Sequence, residues 1–153
     1  MAYLTTLEAR LDAVYSALET LGPDSLAEDF VNFASFFSED CIAYLRGMRD
    51  HKTPAFGRQG LIHDLQNLLQ SQHLKKRRVI SQVANEQGGQ IFSEMENLYI
   101  VHSEILDPFH KTAVVSFNRE GLIHSFKLYC CRSHFVWLTQ QVTGEGSYKD
   151  LTV

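Results

Sequence analysis

The sequence predicts an α+β cone: a strongly curved, mostly antiparallel sheet wrapped around three N-terminal helices. Three observations predict it. Apolar residues recur at helical spacing in the first 70 positions, interrupted by one short extended run. From Lys75 to Leu138 the pattern changes to extended runs joined by turn signals. The 153 residues suit one domain, long enough to bury a core without disulfides or metal.

The elements follow in order. Leu4, Leu7, Leu11, Val14, Leu18 and Leu21 mark one face of a first helix, with Thr5 and Glu8 spaced as a capping box. Gly22-Pro23 ends it. Ser25 and Glu28 open a second helix with Leu26, Phe30, Phe33 and Phe37 on its inner side. Cys41 to Arg46 reads as a short strand, and Gly47 to Gly57 as a loop carrying Pro54. A third helix after Gly57 has Leu61, Leu65, Leu68 and Leu69 as its apolar face. Extended runs at 79–87 and 90–105 flank the turn Gly88-Gly89. Asp107-Pro108 breaks the chain, and runs at 112–117 and 122–138 flank a turn at 118–121.

Composition excludes several classes. The formal net charge of −4 gives no general electrostatic case for nucleic acid or membrane surfaces. No apolar stretch approaches the ~20 residues of a membrane span. The first residues lack a basic region followed by an apolar run, so no signal peptide is expected. Three cysteines, two of them adjacent, suggest no disulfide framework and favour a reducing compartment. The expected location is the cytoplasm. No His/Cys spacing fits a metal site, and no phosphate loop or nucleophile elbow occurs. No cofactor is expected.

A cone of this kind encloses an apolar pocket, so the polar side chains that enter it matter most. Arg46 ends the short strand beside Tyr44, on the same face by period two. An arginine there suits a developing oxyanion; an ordinary surface ion pair is the competing reading. On the last strand, Leu122, His124, Phe126, Leu128 and Cys130 form the more apolar face. That set is expected to face the pocket, which makes His124 a candidate for proton transfer. On the 90–105 run, one face carries Met95, Asn97 and Tyr99, and the other Glu94, Glu96 and His102. Residue pattern alone leaves that choice open. Lys75-Lys76-Arg77-Arg78 reads as a solvated entry into a strand, and Cys130-Cys131 as packing residues.

Element order, the Phe37-Ser38-Glu39-Asp40 turn into a strand, and Gly121-Leu122-Ile123 opening the last strand resemble the SnoaL-like branch of the nuclear transport factor 2-like superfamily. The resemblance covers nearly the whole chain. Three segments resemble fungal members: Ala43 to Arg49, Ser93 to Asn97, and Tyr129 to Ser133. It implies a cofactor-independent tailoring enzyme of secondary metabolism that isomerises or cyclises a polyketide, terpenoid or alkaloid intermediate, or opens an epoxide. A non-catalytic ligand-binding or dimerisation module is the remaining alternative. The partners implied are a small apolar substrate and a second copy of the chain.

Position by position, Tyr44 matches the tyrosine of limonene epoxide hydrolase-like enzymes, while Met95-Glu96-Asn97 stands where they carry Arg-x-Asp. Their second aspartate falls on Leu128 or Cys131. Tyr15 lies near the tyrosine of ketosteroid isomerase-like enzymes, whose other two groups are replaced here by Leu45 or Arg46 and by Ala113. The alignment favours the face of Met95, Asn97 and Tyr99 as the inner one. The resemblance thus implies Arg46, His124, Tyr44 and Asn97 as catalytic candidates. Tyr99, Met95, Phe126, Leu128, Tyr15 and Phe33 are the substrate-contact candidates.

Overall fold

A computed structural model describes residues 6–46, 53–131 and 133–144. Helices α1 (Leu7–Thr20) and α2 (Ala27–Ala34) come first, then strand β1 (Phe37–Tyr44) and the two-residue β2 (Ala55–Phe56). Helix α3 (Gly57–Leu69) leads into β3 (Gln72–Lys76), β4 (Val79–Asn85), β5 (Gln90–Val101), β6 (Glu104–Phe117) and β7 (Ile123–Tyr129). Helix α4 (Ser133–Thr143) closes the described chain. The strand order is β2-β1-β7-β6-β5-β3, with β4 also paired to β5. Among the described residues, only β1 and β7 run parallel. This is the curved, mostly antiparallel sheet the sequence predicts.

Helix starts shift slightly from expectation. The α1 cap is Thr6, whose Oγ1 accepts from Ala9 N at 3.1 Å. The expected cap Thr5 and the apolar Leu4 lie outside the described residues. In α2 the Asp29 carboxylate reaches back to Leu26 N at 2.9 Å. Ser25 instead accepts from Gly22 N at 2.9 Å, holding the loop between the helices. Leu26 was expected inside and is exposed, because it precedes the first helical turn.

Faces sort by period two. On β5 the odd positions Ile91, Ser93, Met95, Asn97, Tyr99 and Val101 are buried. On β6 they are Phe109, Lys111, Ala113, Val115 and Phe117. Helices α1, α2 and α3 press Leu11, Val14, Phe30, Phe33, Leu61 and Leu65 onto this concave face. No helix among the described residues is long and apolar enough to cross a membrane.

Several boundaries of the sheet differ from the sequence reading. β1 begins at Phe37, which was expected on the second helix, rather than at Cys41, and β6 begins at Glu104 rather than Thr112. The run at 90–105 ends at Val101, and the chain reverses at His102-Ser103 rather than at Asp107-Pro108. That proline sits inside β6, after a cis peptide, where the pairing shifts between Asn97↔Phe109 and Tyr99↔Leu106. The run at 122–138 is not one strand. It stops at Tyr129, and 133–143 coils into α4, whose Phe135 stacks on Phe109 (6.3 Å, 15°). Short apolar runs rich in aromatic and branched residues fit either state, and tertiary packing decides.

His102 and Ser103 both hold positive φ, 48° and 69°, which L side chains rarely adopt. A two-residue hairpin of this kind prefers Asn-Gly. The double replacement His102→Asn, Ser103→Gly should therefore raise stability by about 1 kcal/mol. The readout is the urea midpoint, and an unchanged or lower midpoint would sink the idea. Gly89 has the converse requirement. At φ +66° its missing Cβ would stand 2.7 Å from Phe117 O, so the hairpin between β4 and β5 admits only glycine there.

A candidate small-molecule pocket

The open end of the cone holds an apolar pocket. Val14, Tyr15 and Leu18 of α1 form one wall, and Leu65, Leu68 and Leu69 of α3 another. Phe37, Tyr99, Phe126 and Leu128 supply the sheet side. An aromatic chain runs along it: Phe33 to Phe37 at 5.5 Å, Phe37 to Phe126 at 5.9 Å, Phe126 to Tyr15 at 6.2 Å. The centre of a water-sized sphere can occupy about 60 Å³ of the pocket. That is room for a few waters, whereas drug-sized ligands occupy roughly 300–1,000 Å³. A ligand of that size would have to push side chains aside.

Four lining residues bring polar groups: Tyr15, Gln72, Tyr99 and Lys111. The Tyr15 hydroxyl is buried and has no hydrogen-bond partner among the described residues. Burial pushes its pKa far above the ordinary phenol value; nearby Tyr99 adds to this, and the Arg77 cation acts against it. Burial also raises Tyr99, helped by Cys130, while a hydrogen bond with Asn97 lowers it. Both phenols therefore stay protonated at neutral pH and can serve as donors. Lys111 is 7% exposed. Its Nζ lies 4.3 Å from the Tyr99 ring centre and 5.0 Å from that of Phe109, a cation held against aromatic faces. A smaller hollow adjoins the pocket, sharing Leu45, Gln72 and Lys111 and adding Arg46, Cys130 and Phe135.

Behind Tyr15 lies a buried arginine. The Arg77 side chain is 7% exposed, and its guanidinium carbon sits 4.5 Å from the Tyr15 ring centre. It donates to Asp12 Oδ1 (2.6 Å), Gln82 Oε1 (3.0 Å), Ser93 Oγ (3.3 Å) and Met95 Sδ (3.3 Å).

Against this geometry the ten sequence candidates divide. Tyr15, Phe33, Tyr99, Phe126 and Leu128 line the pocket. Arg46 lines the adjoining hollow, just past the end of β1. Four placements need correction. His124 is exposed on the outer face, because an extra residue bulges there: Ser125 pairs Ser116 while Ile123 pairs the adjacent Phe117. The bulge reverses the face between His124 and Phe126. Tyr44 does not share a face with the pocket; it stands with Lys127, whose Nζ is 5.8 Å from its ring centre. Asn97 is fully buried and accepts from Arg78 N at 3.0 Å, which ties the β3–β4 connection to β5. Met95 faces inward, but Arg77 stands between it and Tyr15, so it does not reach the pocket.

Glu94 and Glu96 lie on the outer face, Glu94 accepting from Ser81 Oγ at 2.9 Å and Glu96 3.7 Å from His110. Sequence reasoning missed Lys111 and Arg77. For Lys111 the signal was present: it takes an inward position in the alternation Phe109, Ala113, Val115, Phe117. Arg77 stands in a run of four basic residues that hides any period. Among the described residues, no group of three or more His, Cys, Asp or Glu side chains is placed to hold a metal ion.

No protein-family profile matches the chain, and no curated protein is detectably similar in sequence. Solved structures are similar in fold. A candidate polyketide cyclase from Xanthomonas campestris pv. campestris superposes with a TM-score of 0.64 at 18% identity, covering 86% of this chain and 94% of its own. An LEH-like epoxide hydrolase from M. tuberculosis gives 0.62 at 14%, covering 91% and 96%. A de novo designed protein with a curved β-sheet gives 0.59 at 11%, covering 94% and 98%. At these identities the likeness shows the fold alone, and a designed chain among the neighbours underlines that the fold carries no fixed chemistry.

Proposed function

We propose that this protein is a cofactor-independent enzyme that isomerises or cyclises a small, largely apolar intermediate of fungal secondary metabolism. The observation that carries the reading is the Tyr15 hydroxyl, buried in the wall of an apolar pocket with no hydrogen-bond partner among the described residues. A fold gains nothing from stranding a donor; a site gains a hydrogen bond that forms only with substrate. In this reading Tyr15 and Tyr99 donate to a substrate oxygen that gains negative charge in the transition state. Lys111 adds a positive charge nearby, and the aromatic wall fixes the carbon skeleton in a reactive conformation. The solved cyclase-like structures and the three segments that resemble fungal proteins support the same class.

Epoxide opening is the second reading, supported by the hydrolase-like neighbour and by a phenol able to protonate an epoxide oxygen. It ranks lower because no carboxylate among the described residues lines the pocket to activate water.

Native mass spectrometry with a panel of polyketide, terpenoid and alkaloid intermediates tests both. A captured compound released as an isomer of equal mass supports the isomerase or cyclase. Gain of one labelled water oxygen would move the assignment to a hydrolase. Capture with every compound returned unchanged would leave a binding protein and end the enzymatic reading.

A further inference from the structure

We infer that helix α4 is the gate of this pocket: it lifts with Phe135 to admit a ligand and settles back over it. The inference rests on the reading of the pocket as a substrate site and adds how that site is entered. Something must move, because the free space holds a few waters and a drug-sized ligand needs several times more. The other helices are firmly seated. α1 buries Leu7, Leu11, Val14 and Tyr15, and α3 buries Leu61, Leu65 and Leu69, all within one core. In α4 only Phe135 is buried, with Val136 and Leu138 half-buried. An element that buries little apolar surface opens locally at far lower cost than the fold as a whole.

The position of α4 suits a gate. Phe135 walls the hollow that adjoins the pocket, beside Leu45 and Gln72, and those two residues line the pocket as well. Its ring stacks on Phe109, and Phe109 meets Tyr99 edge-on at 5.3 Å. Tyr99 is a wall of the pocket itself. Ring contacts thus run from α4 to the site, so filling the site bears on how α4 docks. The docked helix also carries a cost of its own. Thr139 Oγ1 and Gln140 Oε1 are buried and have no hydrogen-bond partner among the described residues. When α4 lifts, water reaches both, and their solvation offsets part of the apolar contact that is lost. A closed state weakened in this way reopens readily, and once closed over a ligand it keeps water from the site.

Stopped-flow mixing with 2-naphthol, a rigid apolar ring system with one hydroxyl, tests this through the fluorescence of the probe. Phe135→Ala should raise the entry rate and the release rate, each by about tenfold, with the dissociation constant moving less than either. A merely lost contact would raise release alone. The pair Thr139→Val, Gln140→Met removes the two stranded oxygens at nearly constant volume, and should slow entry and release together by about threefold. Hydrogen exchange gives the measure without probe. Amides of α4 should exchange roughly 100-fold faster than those of β5 and β6, and the Thr139→Val, Gln140→Met protein should narrow that gap. Entry rates equal in all three proteins overturn the inference and leave the pocket standing as a site. Amides of α4 as slow as those of β5 do the same. A protein that never binds 2-naphthol loses the pocket reading, and the gate with it. If Phe135→Ala does not fold, the second variant, expected to be the more stable, still decides.

Discussion

Tyr15→Phe should make the protein more stable and far less active. The Tyr15 hydroxyl is buried and has no hydrogen-bond partner among the described residues. A buried polar group left unsatisfied costs about 1–3 kcal/mol, so its removal should return about 1 kcal/mol. The ring itself stays. Its contact with Phe126 at 6.2 Å and the Arg77 guanidinium 4.5 Å from its centre do not need the oxygen. Turnover should move the other way. Removing one preorganised donor to a developing oxyanion lowers kcat by roughly 10²–10³-fold. Urea unfolding and turnover of any substrate found by native mass spectrometry read the two effects on one variant. A stability gain with unchanged turnover would remove Tyr15 from the chemistry. A loss of stability would mean that the hydroxyl is bonded in solution, and the case for a stranded donor would collapse.

Strongly periodic elements were legible in the sequence, and irregular ones were not. The α1 stripe, the α3 stripe and the β5 alternation each repeat over several turns or pairs, so single exceptions do not hide them. Of the wall residues, Phe33 follows from the α2 face and Phe126 and Leu128 from the last-strand alternation, while Tyr15 and the choice of the Tyr99 face rest on the family resemblance. His124 was misplaced by one bulged residue, which no period-two argument can foresee because the bulge is set by the pairing of β7 with β6. β3 escaped notice for a different reason. It is five residues long with one buried position, Leu74, which leaves no period to count. The polar heart of the site was harder still. Arg77 and Lys111 are the residue types expected on the surface, and burial reverses that expectation only when aromatic faces and acceptors already surround the charge. Here Tyr15 receives Arg77, and Tyr99 with Phe109 receives Lys111. These pairings join residues 62 and 12 positions or fewer apart along the chain, and only the packing of α1 against the sheet brings the first of them together.

The largest loss of stability should come from Arg77→Ala. The side chain joins α1 to β4 and β5 through Asp12, Gln82, Ser93 and Met95, and its backbone N–H donates to Glu19 Oε1 at 3.2 Å. Truncation removes several charge-assisted bonds and a cation–π contact, and leaves a cavity beneath the pocket floor. Deleting one partner of a fully buried ion pair costs about 3–5 kcal/mol. Asp12, however, is 59% exposed, so water can take over its carboxylate. The expected loss is therefore near the low end, about 3 kcal/mol. Two companion variants apportion it. Asp12→Asn should cost no more than about 1 kcal/mol, since an exposed partner contributes little. Arg77→Met fills the space without charge, and Ser93 Oγ still donates to Gln82 Oε1 at 2.9 Å, so most of the stability should return. Urea midpoints of the three variants decide between the terms. A loss in Arg77→Met as large as in Arg77→Ala would assign the effect to the charge rather than to packing, and a loss below about 1 kcal/mol in Arg77→Ala would refute the account altogether. Activity adds a further discriminator. The Arg77 cation is the one influence that draws the Tyr15 phenol back toward its ordinary acidity. Arg77→Met should thus be nearly as stable as the natural protein while Tyr15 becomes a weaker proton donor, and its turnover should fall though its fold does not.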